Sequence, residues 1–153
     1  MTTTLNNRTS PSPPSPLEAE LYYAGLPSAP LLVARTSTTP WKAPTGPEAY
    51  RQPKELRPVG KHAITEVWKD LGPKVFSLLD SMKVKWTSID VIRIVNAGEP
   101  SVSAPVIVWI GVVPASLSGS DGIAVACKCR GLLEEHRIVD VDVEICESVV
   151  TRW

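Results

Sequence analysis

The sequence predicts an α+β fold: a ferredoxin-like β-α-β-β-α-β sandwich with an antiparallel sheet and two helices on one face. Two β-branched runs, Ile89 to Val95 and Val106 to Val113, flank a turn-rich segment. A helical stripe precedes them, and a second helical stretch follows. An alternating strand then completes the order.

Residues 1–16 are mostly Thr, Ser, Asn and Pro, with Pro11, Pro13, Pro14 and Pro16 close together. Such a segment has little to bury and is expected to be a disordered tail. Pro13 and Pro16 have the P-x-x-P spacing of an SH3-type ligand. That spacing is common in Pro/Ser-rich tails, and a plain solvated tail is the simpler expectation.

Residues 17–60 are expected to be a Pro-rich extended segment packed on the domain. Leu17 to Tyr23 suits a short helical turn, with Glu18 and Glu20 near its positive end. Leu31 to Ser37 is a short apolar-to-polar run and supplies the first strand. Thr38 to Gly60 carries Pro40, Pro44, Pro47, Pro53 and Pro58, so regular structure is not expected there. Trp41 and Tyr50 are expected to pin this coil across the surface. Eleven of the fifteen prolines lie at or before Pro58, which places the start of the α/β core domain, 61–152, close to residue 60.

Ala63 to Met82 is the clearest helix. Ile64, Val67, Trp68, Leu71, Val75, Leu78, Leu79 and Met82 draw one continuous stripe. The stripe keeps phase across Gly72-Pro73, which predicts a kink or tight join rather than a reversal. The hairpin follows, its second run apolar at every position, as suits a strand covered on both faces. Asn96, Gly98, Pro100 and Pro105 mark the connecting loop. Ser118, Ser120 and Asp121 can each cap a second helix running to about His136. Its apolar face is Val125, Ala126, Cys129, Leu132 and Leu133, with His136 suited to its negative end. Ile138 to Val149 alternates as a strand, with Val139, Val141, Val143 and Ile145 inward and Asp140, Asp142, Glu144 and Cys146 outward. The coil of roughly 25 residues before the first helix is long for such a fold. The fallback is a three-stranded α/β sandwich without the first strand.

Composition narrows the functional classes. Sixteen basic and sixteen acidic residues cancel, so no net field draws in nucleic acid or an anionic membrane. No window reaches the ~18 apolar residues of a membrane span. The N-terminus has no apolar stretch of a secretory signal, so the Asn7-Arg8-Thr9 sequon is expected to go unused. Three cysteines cannot all pair, which favours free thiols in a reducing compartment, cytoplasm or nucleus.

No motif here carries chemistry strongly. Cys127 and Cys129 are two apart and do not share a helical face, while His62 and His136 lack metal-motif spacing. Neither a metal nor a cofactor is expected. Gly119-Ser120-Asp121-Gly122 lacks the lysine of a phosphate loop and the pattern of a nucleophile elbow. The candidate surface site is the acidic row Asp140, Asp142 and Glu144, spaced about 6 to 7 Å apart along a strand face. Such a row can share a cation or meet a basic partner; it can equally keep an open sheet face solvated.

Four segments are similar to one another's counterparts in a single family: Leu21 to Ser28, Thr38 to Tyr50, Lys54 to Gly60 and Ser81 to Asp90. Together they resemble uncharacterised fungal proteins of mushroom-forming species, over about residues 21–152. In longer members a trypsin-like peptidase-like segment follows this region. The resemblance implies an N-terminal module of unassigned role and carries no catalytic residue onto this chain. The function expected is a non-catalytic α/β interaction or regulatory module with a protein partner. The alternative is an accessory domain or fragment of a peptidase-type protein, or a small-molecule enzyme. A concave site gathering Arg93, Asp90, His62 or the acidic row would favour an enzyme.

Overall fold

A computed structural model describes residues 10–43, 53–100 and 104–147. Residues 1–9 with the Asn7-Arg8-Thr9 sequon, Tyr50, and positions 148–149 of the expected last strand lie outside them. Among the described residues the elements are α1 Pro16–Leu21, β1 Leu31–Arg35, β2 Lys54–Arg57, α2 Ala63–Ser81, β3 Trp86–Asn96, β4 Val106–Val112, α3 Gly119–Glu135 and β5 Asp142–Glu147.

Pro16 opens α1 because a first helical residue needs no N–H donor, and the Ser15 hydroxyl accepts from the Glu18 N–H at 3.1 Å. The tail is in contact with the domain at this end: a Cβ on Gly119 of α3 would lie 3.0 Å from Pro13 Cβ. The segment 17–60 holds two strands rather than one. β2 lies where the prolines argued against regular structure. Pro53 and Pro58 bracket its four residues, and at a sheet edge only one side must be paired.

The sheet is five-stranded and mixed, in the order β1-β5-β4-β3-β2. β5 runs parallel to β4; the other three pairings are antiparallel. This corrects the ferredoxin-like plait expected above: the sheet is not all antiparallel, and β5 lies inside it between β1 and β4. The cause is the β4–α3–β5 crossover. α3 carries the chain back along the sheet, so β5 starts at the same end as β4. β5 then pairs with β1 on its other side.

α2 and α3 cover one face, as expected. Ile64, Leu71, Val75 and Leu79 of α2 meet Val125, Ala126, Cys129 and Leu133 of α3 above Val108, Ile110, Val143 and Ile145 of the sheet. α2 continues through Gly72-Pro73 as a single helix. Its cap is His62, whose Nδ1 accepts from the Ile64 N–H at 3.0 Å. Ser118 caps α3, its hydroxyl accepting from the Asp121 N–H at 3.2 Å. A bulge between Leu32 and Ala34 turns both Val33 and Ala34 toward α3.

The other face of the sheet is not open. The chain leaving α1 crosses it, and Tyr23, Leu26, Leu32 and Cys146 form a second apolar cluster there with Tyr22, Ile94 and Trp109. Cys146, assigned by alternation to the outward face of the strand, is buried there because the segment after α1 covers that face. Val139, expected inward, is 75% exposed, because the strand begins only at Asp142. No helix among the described residues is long and apolar enough to cross a membrane.

Candidate ligand-binding site

The acidic row separates into three unlike environments. Asp140 precedes β5, is 68% exposed, and accepts from His62 Nε2 at 2.9 Å. Since His62 Nδ1 already accepts the α2 cap, Nε2 carries the ring proton. This hydrogen bond holds the Asp140 carboxyl below its usual range. Asp142 accepts from the Thr36 hydroxyl at 2.6 Å, with Arg130 at 3.8 Å. The two aspartates hold the ends of elements together. Arg93, buried, clamps two carbonyls, Val59 at 2.9 Å and Ala104 at 2.6 Å. Asp90 is exposed. Arg93, Asp90, His62 and the two aspartates do not gather in one pocket.

Glu144 differs from its neighbours. It is only 5% exposed, although its strand alternation assigns it to the polar face. β5 is interior, and the Tyr22-Tyr23 segment closes over it. Tyr23 donates to Oε1 at 2.7 Å and Tyr22 to Oε2 at 2.9 Å. The Trp109 Nε1–H in turn donates to the Tyr23 hydroxyl at 3.0 Å. The rings lock this chain of bonds in place. Tyr22 and Tyr23 meet edge to face at 5.0 Å, and Tyr23 meets Trp109 at 5.7 Å. Behind Tyr22 the Arg35 guanidinium lies 5.1 Å from the ring centre and is itself tied to Glu18 at 2.9 Å.

Burial dominates the electrostatics. It pushes the Glu144 carboxyl above its usual range, against the two tyrosine hydroxyls, which favour the anion. Burial together with the Glu144 charge pushes both tyrosines up. Cys146 rises to about 12 for the same two reasons. Among the described residues no cation is ion-paired with Glu144.

Glu144 faces a cavity of about 300 Å³, lined by Tyr22, Tyr23, Trp41, Lys54, Ile94, Pro105, Ile107 and Glu144 itself. β5, β4, β3 and β2 each contribute one side chain: Glu144, Ile107, Ile94 and Lys54. Lys54 is half-buried; desolvation lowers its pKa, while the Glu144 charge opposes that shift. Among the described residues the ammonium makes one long hydrogen bond, 3.4 Å to the Tyr22 carbonyl. Two opposite charges thus share one aromatic-walled hollow without touching. Both Glu144 oxygens are already fixed by hydroxyl donors, which makes the carboxylate a fixed anchor rather than a mobile base. Each oxygen keeps a lone pair for a ligand donor.

Of the expected candidates, only Glu144 belongs to this site. Trp41, expected to hold the coil onto the domain, lines the cavity wall. Tyr22, Tyr23, Lys54 and Trp109 were not anticipated. The available signal was a glutamate inside the apolar run Val143-Glu-Ile-Cys146, a sequence suited to burial, with two adjacent tyrosines able to supply hydroxyls. Among the described residues no three His, Cys, Asp or Glu side chains form a metal-ligand group. Comparison with protein families, curated proteins and solved structures finds no match.

Proposed function

We propose that this chain is a non-catalytic α/β regulatory module that binds a small polar ligand in the cavity beside Glu144. The observation that carries the reading is a buried carboxylate held by two hydroxyls at the wall of a hollow, with no cation among the described residues paired to it. Burying a carboxylate without an ion partner is costly, and its hydroxyl donors offset that cost only in part; ligand anchoring is a role its position suits. Ligand occupancy would tie the Tyr22-Tyr23 segment more firmly to the sheet and so pass a signal to a protein partner. Beside a peptidase-like segment, as in the longer fungal proteins it resembles, the module would act as an accessory domain. Cytoplasm or nucleus suits its free cysteines, two of which are buried.

The test is amide and indole NMR of the labelled protein against a library of small polar fragments. Shifts gathered at Tyr22, Trp41, Lys54, Ile94 and Ile107 are expected. Ile107→Trp, which fills the hollow, should abolish them while the remaining spectrum stays folded. Shifts scattered elsewhere, or none, would overturn the reading.

A further inference from the structure

The cavity presents two charges of opposite sign, Glu144 and Lys54, and among the described residues neither has an ion-pair partner. A simple cation in the hollow would satisfy Glu144 but face the Lys54 ammonium. A simple anion would satisfy Lys54 but face the Glu144 carboxylate. In a partly desolvated site such like-charge encounters are strongly unfavourable. A ligand carrying both charges meets both requirements at once.

The remaining wall is apolar or aromatic: Ile94, Ile107, Pro105, Trp41 and the ring of Tyr22. An ammonium near Glu144 also lies close to aromatic faces, which attract cations. The volume of about 300 Å³ equals roughly ten water volumes at about 30 Å³ each, which leaves room for one leucine or phenylalanine molecule.

Resting on the binding reading above, we infer that the ligand is a free α-amino acid with an apolar side chain. Glu144 receives its ammonium and Lys54 its carboxylate, while Ile94, Ile107 and Trp41 surround its side chain. The two tyrosine hydroxyls hold the Glu144 oxygens in place, so the ammonium meets an oriented acceptor.

Isothermal titration of the full chain with L-leucine and L-phenylalanine tests this, with L-leucinamide and N-acetyl-L-leucine as partners lacking one charge each. Binding of at least one free amino acid is expected, with a loss of tenfold or more for both blocked forms. Lys54→Met should erase the preference of acid over amide. Glu144→Gln should erase the preference of free amine over N-acetyl. Equal binding of the amide, or no binding of either amino acid, overturns the inference. If uncharged fragments still shift Trp41 in that case, the binding module stands and only the ligand class falls. If no fragment binds, both readings fall.

Discussion

The Tyr23 hydroxyl donates to Glu144 at 2.7 Å, joining residues 121 positions apart in the chain. The same oxygen accepts from Trp109. Tyr23→Phe would remove one of the two hydroxyls on a buried carboxylate and leave the indole N–H without its acceptor. A loss of about 2 kcal/mol is expected in urea unfolding. Tyr22→Phe, at a less buried hydroxyl, should cost about 1 kcal/mol. Equal losses would show that the two hydroxyls are equivalent and that the Trp109 link contributes nothing.

Glu144 also sets a pH dependence. Its folded pKa lies above the unfolded value, so the native state holds the proton more tightly. Stability is then fully present below the ordinary value of 4.5 and declines as pH rises from there through the raised folded pKa. Asp140 acts oppositely: its pKa is lowered from 3.8, so its contribution is present above that value and lost as pH falls. Urea midpoints between pH 4 and pH 8 should fall with rising pH in the wild type. In Glu144→Gln this decline should vanish. An unchanged slope would place its origin elsewhere.

α3 approaches β1 closely at Gly122. A Cβ there would lie 2.8 Å from Val33 Cγ1 and 3.1 Å from Ala34 Cβ. Ala34 Cβ is fixed to the backbone, and Val33 is stiff at its one side-chain torsion. Gly122→Ala should therefore destabilise by about 1 to 3 kcal/mol, despite the helix preference for alanine. Gly131 in the same helix has nothing within 4 Å of its added Cβ. Gly131→Ala should stabilise by up to ~1 kcal/mol. Calorimetry of the pair separates packing from propensity; a stabilising Gly122→Ala would refute the close approach.

The ends of β1 and β5 meet at Thr36. Its hydroxyl donates to Asp142 at 2.6 Å and accepts from the buried Val143 N–H at 3.0 Å. Thr36→Val should cost about 1 to 3 kcal/mol by leaving that N–H unpaired. Asp142→Asn keeps an oxygen for Thr36 and should stay within about 0.5 kcal/mol of wild type. If Asp142→Asn proves the costlier of the two, the Arg130 contact, not the hydroxyl bridge, holds this junction.

Helices and long strands were legible because their periods are dictated locally. The stripe from Ile64 to Met82 and the apolar run from Val106 needed no knowledge of their neighbours. Strand order depends on which way a crossover returns the chain. No residue between Ser118 and Asp142 encodes that by its own pattern. β2 was hidden because Lys-Glu-Leu-Arg is short, charged and enclosed by prolines, as an edge strand can be. The site was legible only as the single residue Glu144. Alternation assigned it a polar face, and that face turned out to be covered by residues more than a hundred positions earlier. A carboxylate that faces solvent and one that another segment buries look identical until the covering segment is placed.

β5 is flanked in space by β1 and β4, yet it follows both in the chain. During synthesis β1 leaves the ribosome before any partner for it exists, and it must remain unpaired until the sheet's last strand arrives. Closing that long loop carries an entropic cost that is met only when β5 docks. Glu144 arrives with β5. A half-folded chain thus holds Tyr22, Tyr23 and Lys54 but no carboxylate for them to surround. Any molecule that engages Glu144 selects finished copies from unfinished ones, and shifts the population toward chains in which the final strand is locked in.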